Sequence, residues 1–372
     1  MRRAHPSHSL HAQSGVAPAL SVDPTPTTRK APELLDWLGI VRLEVDAHLI
    51  EFFEDKKRET EAISPPTLEL VDEIEALTMR GGKRLRPAVA AAGYRCVRPG
   101  HGMERLVELS ASLELLQSYL LIHDDWMDGD EVRRGGTAVH TSLQQRHGNP
   151  HLGSALGVLA GDLASAYAWE LFLEAPYPRQ SWPDACAMFL QIQKQVYCGQ
   201  QLDLVGDANV ARMHALKTTS YSVRGPLLLG AFLGNPDAEQ LRALTDWAEP
   251  IGEAFQIRDD LLGALGSADS TGKPGMDIPH GKVSSVLSEL RRSTRPEDRE
   301  PVEVIVGRID VDARQLEQAH ACLRALGVVD RLERSILELR DQALRALERG
   351  AFNPQGRGML TELADKLTVR RA

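Results

Sequence analysis

Two stretches of this chain gather carboxylates where an apolar helix would be ending. In the first, LELLQSYLLIHDDWMDGDEVRRGGTAVH from Leu113 to His140, apolar residues at three- and four-residue spacing (Leu109, Leu113, Leu116, Leu120) predict one face of a helix. The run then turns acidic, and five of the eight residues from Asp124 to Glu131 are carboxylates. Asp124 and Asp128 are four apart, so a continuing helix projects both from one face, with Asp125 alongside. Like charges at that spacing cost a helix about 0.2–0.5 kcal/mol per pair, and carboxylates near a C-terminus, which Gly129 marks, oppose the macrodipole. A bound cation would offset this penalty; a solvated acidic turn is the plain alternative. The second stretch, EAFQIRDDLLGALGSADSTGKPGMDIPHGK, places Asp259 and Asp260 at the end of another apolar helix, before a glycine-rich loop with Lys273 and Lys282.

Basic residues accompany these ends. GGKRLRP, from Gly81 to Pro87, sets Lys83, Arg84 and Arg86 beside two glycines, whose backbone N–H groups can approach an anion closely. Alone it is a weak signal, since a basic helix-to-helix turn is often only solvated surface, but Arg133 and Arg134 directly follow the first acidic run, so the chain carries metal-type and phosphate-type ligands together. Lys217 and Thr218 fall in the otherwise apolar ALKTTSYSVRGPLLLG; a buried lysine needs a partner, either a structural carboxylate or a bound anion. Gln200, Gln201 and Asp203 sit on a mostly apolar run and need partners too, from an internal network or as the lining of a cavity.

The elements that must position these groups read as helices. At 372 residues and 42% hydrophobic, the chain can bury a large core; aromatics are only 5% and Leu, Ala, Glu and Arg dominate, which favours helix over sheet. Leu34, Leu38, Val41, Val45, Leu49 and Phe52 mark an amphipathic helix from Pro32, and a second runs from about Pro66 to Met79. Two or three helices are expected between Asn149 and Val205, then Val302–Leu326, Val328–Leu347 and a short one from Met359 to Val369. No strand pattern is convincing. Residues 1–30, rich in Pro, Ser, Thr and His, read as a disordered tail ahead of a domain over 31–372; an unstructured tail outweighs a metal site at His5, His8 and His11. The net charge of −9 argues against a nucleic-acid partner. Four scattered cysteines without a CxxC pair suggest reduced, mostly buried thiols in a cytoplasmic protein. No apolar stretch reaches the roughly 18–20 residues of a membrane span, and no secretory signal is evident.

In order along the chain, GGKRLRP, LLIHDDWMD with RRGGTAVH, GQQLD, KTTSY, FQIRDD and GKPGMDI resemble the motifs of the trans-isoprenyl diphosphate synthases, from about Pro32 to the C-terminus. The resemblance implies a single all-α domain, a barrel of long, mostly antiparallel helices around a deep cavity, usually as a homodimer. It implies that an allylic diphosphate loses pyrophosphate and couples to isopentenyl diphosphate with Mg²⁺, as a three-ion cluster with bound diphosphate. By position, Asp124, Asp128 and Asp259 match direct metal ligands, while Asp125 and Asp260 orient waters and neighbours. Arg133, Lys217, Lys273 and Lys282 match the grip on the allylic diphosphate; Gly82, Lys83, Arg86, Gln117 and Arg134 match that on isopentenyl diphosphate. Thr218 and Gln256 lie where oxygen dipoles could stabilise an allylic cation. Tyr119, five residues before Asp124, is placed to act as a floor for the growing chain, with Leu116 as the next layer; a mere packing role for Tyr119 is the alternative. This predicts a short or medium product, geranylgeranyl first and farnesyl second. One departure is evident: Gly263 stands where the second motif often has its last aspartate. A class I terpene cyclase would want a different second metal motif. A di-iron bundle would want two ExxH pairs where only Glu317 and His320 make one, and a non-catalytic subunit should have lost Asp124 or Asp128.

Overall fold

A computed structural model of the chain describes residues 34–100, 103–207, 209–266, 275–308 and 310–368. The N-terminal tail, its histidines and Lys273 lie outside the described residues. The domain is all-α, as expected. The predicted apolar stripe forms α1 (Leu34–Ile63), with Val41, Val45 and Leu49 completely buried. A 3₁₀ turn, Pro65–Thr67, leads into α2 (Leu68–Met79). There follow α3 (Leu85–Val97), α4 (Val107–Asp128), α5 (Val139–His147), α6 (Pro150–Glu174), α7 (Trp182–Leu204) and α8 (Val210–His214). Ala215–Arg224, the KTTSY segment, is wound as a π-helix, a form that often marks a functional site. It continues into α9 (Gly225–Leu233), and α10 (Ala238–Leu265) opens on a capping box between Asp237 and Gln240. Among the described residues, helices Ser285–Ser293, Glu300–Glu303, Ala313–Ala325, Val328–Leu347 and Pro354–Thr368 follow.

α4 packs chiefly on α6, while α10 is gripped between the π-helical segment and Val328–Leu347. A large core built around α1, α3, α4, α7 and α9 is joined by a second apolar cluster, in which Ile257 and Leu261 of α10 meet Leu287, Leu323, Leu332 and Ile336. The two acidic helix ends are thus rooted in different parts of the interior.

Four expectations need correction. Val302–Leu326 is not one helix: Gly307, at φ 74°, breaks it, and a second capping box at Asp312 and Gln315 restarts it. A short hairpin exists where no strand was expected: Val132–Arg133 pairs antiparallel with Gly136–Thr137, across a two-residue turn whose Arg134 and Gly135 both have positive φ (53° and 72°). α6 is, by length and composition, long and apolar enough to cross a membrane, although 44% of its most apolar window is buried inside the fold. Its exposed Leu152, Leu159 and Leu173, at spacings of seven and fourteen, raise that apolar character. The cysteines are free, but only Cys96 is buried; Cys186 and Cys322 are half-buried and Cys198 is exposed.

Candidate active site

At the end of α4 the three aspartates face different surroundings. Asp128 is exposed, Asp124 is half-buried, and Asp125 is turned inward at 1% exposure. Gly129, in the left-handed conformation at φ 71°, stops the helix there. The hairpin returns Arg133 to the acidic run, where its Nε donates to Asp125 Oδ1 at 2.5 Å, one Nη donates to Asp130 at 3.1 Å, and Asp124 lies 3.6 Å away. Burial nevertheless pushes Asp125 up to about 6, partly opposed by Arg133. Its second oxygen, Oδ2, is buried and has no hydrogen-bond partner. Burial and the neighbouring Asp124 also raise Asp128.

The end of α10 has the same plan. Asp259 is exposed, whereas Asp260 is buried and accepts hydrogen bonds from Gln256 Nε2 at 2.8 Å and from the backbone N–H of Ser285 at 2.6 Å. His214 Nε2 is 3.7 Å from Oδ2, the oxygen that accepts from Ser285. Burial raises Asp260 and lowers His214. The place of the missing last aspartate is filled: a Cβ at Gly263 would stand 1.9 Å from Asp277 Oδ2. A second carboxylate therefore lies one helical turn beyond Asp259, contributed from outside the helix. Lys282 pairs with Asp277 at 3.4 Å.

The two ends line one cavity of about 770 Å³, which takes in Asp124, Asp128, Arg133, Asp203, His214, Lys217, Thr218, Gln256, Asp259, Asp260, Asp277 and Lys282. Lys217 donates to Asp203 at 2.6 Å and to Asp124 at 3.2 Å, so both partners of this half-buried lysine are carboxylates. They hold its pKa above the usual lysine value against the effect of burial. This contact depends on Gly199, where a Cβ would stand 2.5 Å from the backbone nitrogen of Lys217. A second, mostly apolar cavity of about 350 Å³ adjoins the first through Asp124, Met127, Leu204 and Lys217. Tyr119, Leu120, Val196, Tyr197, Gln200, Gln201 and Tyr221 are among its walls. Tyr119 meets Tyr197 and His123 edge-on, with centroids 6.2 and 4.9 Å away, and Leu116 is buried at 1% exposure.

The basic loop lies to one side of these cavities. The position of a Cβ on Gly82 is 3.6 Å from the guanidinium of Arg134, and Arg86 stacks over Tyr221 at 4.1 Å while donating to Ser222 at 2.9 Å. Lys83 is exposed and Gln117 half-buried. Arg84 does not belong with the substrate-facing cations, because it is turned inward at 2% exposure and bonded to Asp46 and Glu114. Asp203, His214, Asp277 and Tyr221 are site residues that the sequence reading did not assign. GQQLD and GMDI carried two of them in plain view, but nothing local to His214 or Tyr221 signals a role.

Hard oxygen donors at two helix ends, one of them buried without a partner, suit Mg²⁺. Among the described residues no three potential ligands already converge into a metal cage. An ion held here by one or two carboxylates would complete its shell from diphosphate oxygens and water.

The all-α fold, with paired acidic helix ends over a polar cavity that opens on an apolar one, defines an enzyme that acts on a diphosphate bearing an apolar tail. The chain belongs to the polyprenyl synthetase family, whose model matches residues 68–323, and it is a prenyltransferase of the trans-prenyl diphosphate synthase type. It is 31% identical to a short chain isoprenyl diphosphate synthase of Methanothermobacter thermautotrophicus, over 69% of this chain and 77% of that one. A geranylfarnesyl diphosphate synthase of Aeropyrum pernix is 29% identical over 79% of this chain and 92% of the relative. The structure of a geranylgeranyl pyrophosphate synthase of Corynebacterium glutamicum, complexed with isoprenyl diphosphate and magnesium, matches with a TM-score of 0.81 and 28% identity. That match covers 91% of this chain and all of the other.

Proposed function

We propose that this enzyme joins isopentenyl diphosphate to an allylic diphosphate (dimethylallyl, geranyl or farnesyl) and releases pyrophosphate, with geranylgeranyl diphosphate as its main product and farnesyl diphosphate as the second reading. The observation that carries this is the shared cavity: the acidic ends of α4 and α10 face one polar space, and an apolar space adjoins it through Asp124, Met127, Leu204 and Lys217. Mg²⁺, three ions with the bound diphosphate in this proposal, would be held by Asp124, Asp128 and Asp259 and would neutralise the leaving pyrophosphate. Asp125 and Asp260 orient those ligands. Arg133 and Lys217, with Lys273 and Lys282, hold the allylic diphosphate, and Gly82, Lys83, Arg86, Gln117 and Arg134 hold the second. Two grips are needed because one diphosphate departs while the other stays. Thr218 and Gln256 line the cavity where their dipoles can face an allylic cation. The amide nitrogen of Gln256 is already engaged by Asp260, which leaves its oxygen for that task.

The aromatic trio Tyr119, Tyr197 and His123 supports a short or medium product, with Tyr119 as floor and Leu116 behind it. The exposed leucines of α6 support a homodimer. Purified enzyme incubated with Mg²⁺, labelled isopentenyl diphosphate and each allylic starter should give a C20 product; a C15 product selects the farnesyl reading, and no condensation at all refutes both. Tyr119→Ala should lengthen the product by at least one isoprene unit, and an unchanged length would remove Tyr119 from this role.

A further inference from the structure

Glu114 lies on α4, ten residues before the first metal-site aspartate, and is 2% exposed. Its Oε2 accepts from Arg84 Nη1 at 2.5 Å, while its Oε1 is buried with no hydrogen-bond partner. Arg84 is the non-glycine residue of the basic loop with a left-handed backbone, at φ 43°, and its guanidinium spans three helices. Besides Glu114 on α4, it donates to Asp46 on α1 at 2.8 Å and to the carbonyl of Thr78 on α2 at 3.1 Å. A non-glycine residue seldom adopts that backbone conformation unless its surroundings hold it there. A Cβ on the loop's Gly82 would stand 3.6 Å from the guanidinium of Arg134 of the hairpin, so two basic segments come close, and Arg84 and Arg86 both disfavour the charge on Arg134 there. Glu114 is the buried carboxylate that draws on both Arg84 and Arg134.

We propose that Glu114, acting through Arg84, is a positioning residue for the second diphosphate: it fixes the backbone of the GGKRLRP loop and offsets the repulsion that Arg84 and Arg86 exert on Arg134. Lys83, Arg86 and Arg134 are thereby held at one place facing the ligand. This rests on the reading of that loop as the isopentenyl diphosphate grip.

The test is steady-state kinetics of the full chain with Mg²⁺, with each substrate varied in turn. Glu114→Gln should raise KM for isopentenyl diphosphate about tenfold or more while KM for the allylic starter stays within about twofold. Arg84→Lys keeps the charge but loses the three-way fork, and should give the same split if Glu114→Gln does not fold. Unchanged KM values, or an equal rise in both with a fall in kcat, would overturn the proposal, since simple loss of structure cannot select one substrate. Arg86→Ala and Arg134→Ala separate the two levels of the argument. Should these leave KM for isopentenyl diphosphate alone, the grip itself is misassigned; should they raise it while Glu114→Gln and Arg84→Lys do not, only the positioning role is wrong.

Discussion

At the end of α4 the inward aspartate, Asp125, is matched by a full positive charge, Arg133; at the end of α10 its counterpart, Asp260, is matched by a side-chain amide, a backbone N–H and a histidine whose charged form burial disfavours. The two ends share a plan, with one aspartate facing the cavity and the next one anchored inside. They differ in whether the anchor can leave. In the proposed function Arg133 also grips a diphosphate, so an arriving substrate would compete with Asp125 for it and free that carboxylate for a cation. Nothing about Gln256 or the Ser285 N–H calls for exchange. On that reading the α4 end is expected to rearrange on binding and the α10 end to stay fixed.

The largest test of this comparison removes the facing aspartates. Asp124→Ala and Asp259→Ala should each lower kcat by about 10²–10³-fold, the scale of losing one preorganised charge-stabilising group. Near-normal turnover of either variant at saturating Mg²⁺ would break the symmetry of the two ends. Next comes Lys217, which ties Asp124 of α4 to Asp203 of α7. In Gly199→Ala the new methyl group meets the backbone of Lys217 rather than a movable side chain, so we expect about 1–3 kcal/mol of lost stability in chemical denaturation, with weaker allylic diphosphate binding.

The anchors themselves should respond unequally. Arg133→Gln should raise the allylic KM about 10-fold or more and His214→Gln only about 2–3-fold; equal effects would mean that neither anchor is exchanged on binding. pH sharpens the same point in the metal-free protein. Because burial holds Asp125 near 6, above the ordinary carboxylate value, the folded state keeps its proton more readily than the unfolded chain. That contribution is fully present below the ordinary value and is lost as pH rises through about 6. Between pH 5 and pH 7 the wild type should lose about 1 kcal/mol that Asp125→Asn does not, as read from urea midpoints. The smallest effect concerns the altered second motif. Gly263→Asp should change the Mg²⁺ requirement by no more than about twofold, since the new carboxylate displaces that of Asp277 and takes over its place, whereas Asp277→Asn should raise it several-fold.

How much of this could be read beforehand depended on whether the signal was local. Val328–Leu347 appears in the structure with its predicted ends, because an amphipathic period and its stop are written in neighbouring residues. The acidic ends were legible for a similar reason, as five carboxylates in eight residues need an explanation wherever they fold. Arg84 was misread because charge and spacing are the same for a cation that faces a ligand and one that turns inward; only the depth of the site separates them. The partners of Lys217 were equally hidden, since Asp203 lies on another helix.

The sequence by itself determined that the chain would be helical, where most of the helices run, which carboxylates and cations are candidates for the chemistry, and the family they belong to, because periodicity and motif order are properties of the string. Only the tertiary structure decided that both acidic ends line one cavity, that Asp277 stands in for the residue missing at Gly263, and that Glu114 sits beneath two basic loops. Those facts depend on which faces pack, and packing is settled by contacts between residues far apart in the chain.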